Sequence, residues 1–361
     1  MSVPDTVVVE GSTRLLVPET HSIQGPGKRE GGVFFNRQMA FNRDVSVMFA
    51  RAGGSNSRVL DAMGGTGARG VRLANEARID NVTVNDRSEE SARFISRNIE
   101  LNSLSNCEMT NMDLRCLLAE RTFDHVDLDP FGSPMPYLHA AIQGTRRKGL
   151  LAITATDTAP LSGAHRRKCE RRYGARPLRG TLCHEAGLRI LLGATARELA
   201  KFDRGMRPIL CFYADHYFRA FVRLEEGAEA ADASLAKLAY MLFDPETLER
   251  GLSPEADERN VHGPMWGGEL FDREVVGRMS ATPDLAEMRR CEKYVALWQE
   301  ELDVPFFYTL NEVASHLHIS PPRMDSTLER LREVGRASRT HITPEGFRTD
   351  VPLMEMLDIL G

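Results

Sequence analysis

Apolar and polar positions follow two rhythms along this chain, and the switching between them outlines a fold. Short apolar runs at Arg58 to Asp61, Asn81 to Val84, Phe123 to Leu128 and Ile153 to Asp157 predict buried strands. Between them, Arg69 to Ala77 and Ser88 to Leu101 space their apolar residues three and four apart, which predicts helices. Strand and helix in alternation predict a doubly wound parallel α/β sheet that binds its ligand at the carboxyl edge. The first 50 residues show no strong helical period before Met39 to Arg51, and read as a Gly-rich loop, with Pro26 and Lys28-Arg29, leading into one helix.

The pattern changes at Glu225 to Glu229, an acidic, small-residue stretch that predicts a boundary between domains 1–224 and 225–361. Beyond it, Leu235 to Met241 and Met288 to Leu302 have helical spacing. Tyr308 to Leu317 reads as a capped amphipathic helix, Met324 to Val334 as a second behind Ser320-Pro321-Pro322, and Ala337 to Thr349 as a short hairpin. Helix, turn, helix, hairpin over about 305–350 is the order of a winged-helix module, in a smaller α+β domain that could hold nucleic acid or only pack. No internal repeat interrupts the pattern.

The predicted strands end on acids: Asp61, Asp86, Asp113 and Asp129. The first runs into a glycine turn, Gly64-Gly65-Thr66-Gly67, where backbone can approach a ligand and the next helix offers free N–H groups. Such a turn alone is weak, and its spacing is not the dinucleotide G-x-G-x-x-G. Asp86, nineteen residues after Gly67, is placed to accept both hydroxyls of a ribose, and Asp113 to accept from an adenine amine. Arg69, at the start of the helix after the turn, is a candidate for a cofactor carboxylate.

The fourth end reads Asp129-Pro130-Phe131-Gly132. By itself this is equally a turn. In context it suits the exocyclic amine of a nucleobase, whose lone pair is delocalised into the ring. A carboxylate and the proline carbonyl can accept its two N–H bonds, Asp129 can later take a proton, and Phe131 can stack on the base. S-adenosylmethionine therefore ranks ahead of a nicotinamide cofactor. A DNA base methyltransferase shares this logic, and a noncatalytic regulator built on the winged-helix segment is the other competing class.

Several segments, in order over about residues 10–224, resemble the tRNA (guanine-26) N2-dimethyltransferase family in its archaeal form. They are Gly31 to Asn36 with Phe41 to Asp44, Asp61 to Gly70, Asn85-Asp86, Asp127 to Pro134, Ala155 to His165, Pro177 to Gly180 with Cys183-His184-Glu185, and Asp215 to Phe221. The resemblance implies a class I, Rossmann-like methyltransferase domain with a seven-stranded sheet and a C-terminal domain that helps hold the RNA. It implies transfer of one and then two methyl groups from S-adenosylmethionine to N2 of guanine 26 of tRNA. Phe34 or Phe35 is a candidate to face the base opposite Phe131 while the other packs in the core, and the resemblance favours Phe34 for the base and Arg43 for the cofactor carboxylate. Many family members resemble one another in a cysteine-rich metal site where this chain reads Glu258 to Trp266, without cysteine, so no metal is expected.

Composition changes this picture little. The 361 residues suit about two domains, and none of the six cysteines forms a C-x-x-C pair. No apolar run reaches the ~20 residues of a membrane helix, which predicts a cytoplasmic protein. The net charge of −5 is unusual for an RNA binder. It hides a basic run, Arg166, Arg167, Lys168, Arg171, Arg172 and Arg176, that is predicted to contact phosphates, whereas Arg146-Arg147-Lys148 reads as a solvated stretch before the next strand. His165, His184 and His216 read as structural histidines. Neither the oligomeric state nor the set of tRNAs follows from sequence.

Overall fold

The structure, a computed structural model, describes residues 5–19, 33–54, 57–256 and 261–361. Pro26, Lys28, Arg29, Gly31, Gly32 and Glu258 to Asn260 lie outside the described residues. The chain divides into two compact units: Met1–Thr156 with Ala220–Glu226 and Asp272–Val295, and Asp157–Arg219 with Gly227–Phe271 and Ala296–Gly361. The division is interleaved, unlike the linear boundary expected at 224/225. The acidic stretch that suggested that boundary is the end of a strand, Tyr217–Glu226, and the start of a helix, Ala228–Leu235.

The first unit opens with strands β1 (Asp5–Glu10) and β2 (Thr13–Pro18), an antiparallel hairpin with Gly11 in the left-handed region. This corrects the expectation of a loop. Thr6-Val7-Val8-Val9 and Arg14-Leu15-Leu16-Val17 are β-branched or apolar runs around a Gly-Ser turn, a period-two signal that a search for helical spacing passes over.

The central sheet comprises β3 (Arg58–Asp61), β4 (Asn81–Asn85), β5 (Cys107–Thr110), β6 (Phe123–Leu128), β7 (Thr145–Ala155), β8 (Arg204–Ala214) and β9 (Tyr217–Glu226). Its order is β5-β4-β3-β6-β7-β9-β8, and β3 to β7 pair in parallel. Val59, Leu60, Val82, Val84, Val126, Leu128 and Leu150 to Ile153 are wholly buried, and so are Thr83, His125 and Asp127 between them, so both faces of these strands are covered. Strand β7 begins at Thr145, so Arg146, Arg147 and Lys148 are exposed residues within it, where its pairing with β6 shifts register, rather than a stretch before it.

Helices Ala40–Arg51, Ala68–Glu76 and Glu89–Leu101 cover the sheet. Ser88 caps the third, its side chain accepting from Ser91 N–H. Arg72 is fully buried and donates to Glu10 on the hairpin (2.9 Å), Asp44 (2.5 Å) and Glu76 (2.8 Å). Burial opposes the charge on Glu10, but Arg43 and Arg72 more than offset it and hold that carboxyl below its usual range. Removing one partner from such a cluster costs about 3–5 kcal/mol, because the remainder stay buried without compensation.

In the second unit, β10 (Leu238–Phe243), β11 (Arg250–Ser253) and β12 (His262–Trp266) form an antiparallel sheet of order β11-β10-β12. A strand thus replaces most of the helix expected over Leu235 to Met241. Leu235, Leu238 and Ala239 fit helical spacing, yet burial falls on Ala239 and Met241, two apart. In the last segment Tyr308 and Thr309, expected to begin a helix, form a strand instead, and two helices and two strands follow. Strand β13 (Tyr308–Thr309), helices Leu310–Leu317 and Met324–Arg332, and strands β14 (Ala337–Arg339) and β15 (Gly346–Thr349) give a sheet of order β13-β15-β14. Thr309 and Glu312 cap the first helix reciprocally. Leu328, Leu331, Phe347 and Met356 form its core.

Candidate active site

The site lies at the carboxyl edge of β3, β4 and β6. After β3 the chain turns through Gly64 to Gly67, and Gly67 takes φ +80° with Ile95 side-chain atoms 3.2 Å from where a Cβ would stand. The left-handed conformation strains any other residue there, and a Cβ would press on Ile95. Asp61, 2% exposed, accepts from Gly70 N–H (2.9 Å) and so ties the strand end to the first turn of the next helix. Its burial, with Asp127 and Asp129 nearby, outweighs the attraction of Arg69 and pushes its carboxyl up to about 7.

Asp86 is fixed from both sides, one oxygen accepting from Gly65 N–H (3.0 Å) and the other from Ser88 N–H (2.9 Å). Each carboxylate oxygen keeps a second lone pair, so the side chain is oriented without being used up. Asn85 beside it, 1% exposed, donates to Ala62 O and Met112 O and accepts from Thr110, joining three strand ends. Asp113 caps helix Leu114–Glu120 and forms a surface pair with Arg115 (3.0 Å), whose hydrogen bonds hold its carboxyl below the usual range.

At the end of β6, Asp129 lies half-buried and accepts from Arg69 Nη2. Arg69 is 6% exposed, approaches Asp127 (3.7 Å), and donates to Asn42 Oδ1 (2.9 Å) and Ser46 Oγ (2.6 Å). One guanidinium therefore serves the carboxylates around the strand ends. Arg43, the other cofactor candidate, forms a bidentate pair with Glu10 (2.6 and 2.5 Å) and donates to Asn36 O. Pro130 is buried. Gly132 follows at φ +85°, its N–H donating to Thr156 Oγ1 (2.7 Å) while its carbonyl accepts from Thr156 N–H (3.0 Å). That pair pins the loop to the end of β7.

Phe131 is 61% exposed, and Phe34 meets it edge to face, centroids 4.6 Å apart at 87°. Phe35 is the core ring, 4% exposed with Arg43 over its face. Phe34 is half-buried, and a parallel sandwich around a base requires Phe34 or Phe131 to turn.

The structure thus brings together Asp61, Gly64, Gly65, Gly67, Arg69, Asp86, Asp129, Pro130, Phe131 and Phe34, with Arg43 linked to them through Asn36, the backbone neighbour of Phe35. Sequence reasoning missed Asn42, Ser46, Asp127 and Thr156 as supports. Their partners stand 23 to 58 residues away, so no local signal marks them, although Asp127 stands only two residues before Asp129.

In the second unit, helix Arg166–Tyr173 carries the basic run. Arg166, Arg167, Arg171 and Arg172 are exposed, with Arg166 paired to Glu170 (2.7 Å) and Arg172 to Asp157 (2.9 Å). Lys168 and Arg176 are half-buried, and the backbone of Arg176 bridges to Gly263. Among the described residues no group of three or more His, Cys, Asp or Glu could hold a metal, and no helix is long and apolar enough to cross a membrane.

This sheet order, the glycine turn and the acid-bearing strand ends define a class I methyltransferase. The chain belongs to the N2,N2-dimethylguanosine tRNA methyltransferase family, whose model matches residues 11–361. It is 40% identical over 379 residues to the tRNA (guanine(26)-N(2))-dimethyltransferase of Pyrococcus abyssi, covering 98% of each chain. The enzyme of the same name from Methanoregula boonei is 40% identical over 366 residues, 97% of this chain and 96% of that one. The structure of Trm1 from Pyrococcus horikoshii with S-adenosyl-L-methionine superposes with a TM-score of 0.90 at 38% identity, over 98% of this chain and 99% of that chain.

Proposed function

We propose that this chain transfers a methyl group from S-adenosylmethionine to the exocyclic N2 of guanine 26 of tRNA, and then a second to the same nitrogen. The observation that carries the reading is the placement of Asp129, fixed by Arg69 at the strand end directly before Pro130 and exposed Phe131. The donor set suits the cofactor: Asp86 is oriented by the Gly65 N–H with spare lone pairs for a ribose. When bound, S-adenosylmethionine supplies an electrophilic methyl group on a sulfonium.

The side chains do the rest. Asp129 and the Pro130 carbonyl accept from the guanine amine, which restores lone-pair density to N2 and fixes its direction. Asp129 is the acceptor for the proton released after transfer. Phe131 and Phe34 hold the extruded base by its faces and exclude water. After the first transfer N2 keeps one N–H, so one acceptor suffices for the second and the other must tolerate a methyl group. Asp61 and Asn85 position the turn and the strand ends, Asp113 is assigned to the adenine, and Arg43 and Arg69 to the cofactor carboxylate.

Arg166, Arg167, Lys168, Arg171, Arg172 and Arg176 are assigned to the tRNA backbone, with the winged-helix-like segment over about 305–350 as a second RNA contact. The protein works in the cytoplasm with its substrate. Labelled methyl transfer to unmodified tRNA, to the same tRNA with adenine at position 26, and to duplex DNA tests the reading. Transfer to the first alone is expected, and label in the duplex would refute it.

A further inference from the structure

The second unit contains an open cavity of about 610 Å3 that the reaction does not use. His184 and Tyr213 line it as a stacked pair, centroids 3.9 Å apart and planes 12° from parallel. The pair is rigid: Tyr213 donates its hydroxyl to Asp215 O (2.7 Å), and His184 sits in the first turn of helix Cys183–Ala200. Burial pushes the His184 imidazole below its ordinary range, so near neutral pH the platform carries no charge. Opposite chemistry comes from the winged-helix segment, where Asn311 donates to Glu345 (2.7 Å) and both line the cavity with Thr343. Thr181 completes the rim, and in sequence the exposed Arg179 stands just before it.

We infer that this cavity is a second nucleobase site, which takes an unpaired purine of the tRNA, stacked on His184 and Tyr213 with its Watson–Crick edge toward Asn311 and Glu345. The inference rests on tRNA being the substrate. A volume of this order accommodates a nucleoside. Sequence-specific RNA recognition uses aromatic platforms, imidazole included, for bases out of the helix, and polar side chains for their edges. A carboxylate accepts from neighbouring ring and exocyclic N–H groups, which favours guanine over adenine at this edge. It also disfavours a phosphate here, leaving the backbone to the arginines upstream.

Full-length protein is irradiated with a tRNA transcript carrying 6-thioguanosine, digested and mapped. A crosslink to the peptide containing His184 or Tyr213 is expected, and crosslinks confined to other segments overturn the site. In parallel, tRNA affinity is compared for wild type, Asn311→Ala, Glu345→Gln and His184→Ala. Asn311 and Glu345 are exposed, so folding is not at stake in those variants. Removing a stacking surface or an edge partner lowers tRNA affinity about tenfold, with S-adenosylmethionine affinity unchanged. Equal tRNA affinity for all four proteins overturns the site. If wild type bound no tRNA at all, the reading of the reaction would fail instead, so the two failures are distinguishable.

Discussion

Replacing Asp61 with Asn tests whether the strand end before the glycine turn is held neutral. Asp61 is 2% exposed, and burial lifts its carboxyl from 3.8 to about 7 despite Arg69. Below pH ~4 the folded and unfolded chains both carry this proton. As pH rises toward 7 the unfolded chain releases it and the folded chain does not, so the wild type loses stability across that window and levels off above it. Each pH unit is worth about 1.4 kcal/mol, and the whole difference up to about 4 kcal/mol. Asn keeps an oxygen to accept from Gly70 N–H and does not titrate. Urea unfolding of both proteins, followed by circular dichroism from pH 4 to 8, reports on Asp61 and the groups coupled to it, because titrations elsewhere in the chain cancel in the difference. The variant is expected to match the wild type or fall slightly below it at pH 4 and to gain steadily up to pH 7. A difference that is constant with pH would mean that Arg69 keeps Asp61 ionised throughout.

Asp86→Ala should weaken S-adenosylmethionine binding by about 1.5–3 kcal/mol per charge-assisted bond removed, read by calorimetry, with tRNA affinity unaffected; unchanged cofactor affinity would show that the ribose lies elsewhere. Arg72→Met should destabilise the protein by about 3–5 kcal/mol, because Glu10, Asp44 and Glu76 lose their shared partner; a melting temperature equal to wild type would contradict the described cluster. Arg167→Ala with Arg171→Ala should reduce the slope of log affinity for tRNA against log salt by about 0.7–0.9 for each phosphate left unneutralised, and an unchanged slope would make this helix face merely solvated.

Much of the site was legible because its chemistry is local to strand ends. Asp61, Asp86 and Asp129 each follow a short apolar run, and the glycine turn and the Pro-Phe-Gly loop sit within a few residues of them. What could not be read is the company they keep. The Arg69 guanidinium that fixes Asp129 comes from 60 residues away, and Glu10, on a hairpin read as loop, reaches Arg43 and Arg72. The strand at Leu238–Phe243 was hidden because its apolar residues satisfy both periods, and only burial against neighbouring strands selects one. The interleaved units were hidden for a related reason: Asp272–Val295 belongs with the first unit partly because Asp44 accepts from the backbone of Ala286 and Glu287.

The central claim is that Asp129 and Pro130 present guanine N2 for two successive transfers. Purified wild type and Asp129→Asn are each incubated with unmodified tRNA and S-adenosylmethionine, and the nucleosides at position 26 are identified by mass spectrometry over time. Wild type should yield N2-methylguanosine and then N2,N2-dimethylguanosine, while the variant binds cofactor normally and leaves guanine 26 largely unmodified. Near-normal dimethylation by the variant, or a methyl group on a ring nitrogen in wild type, would contradict the account.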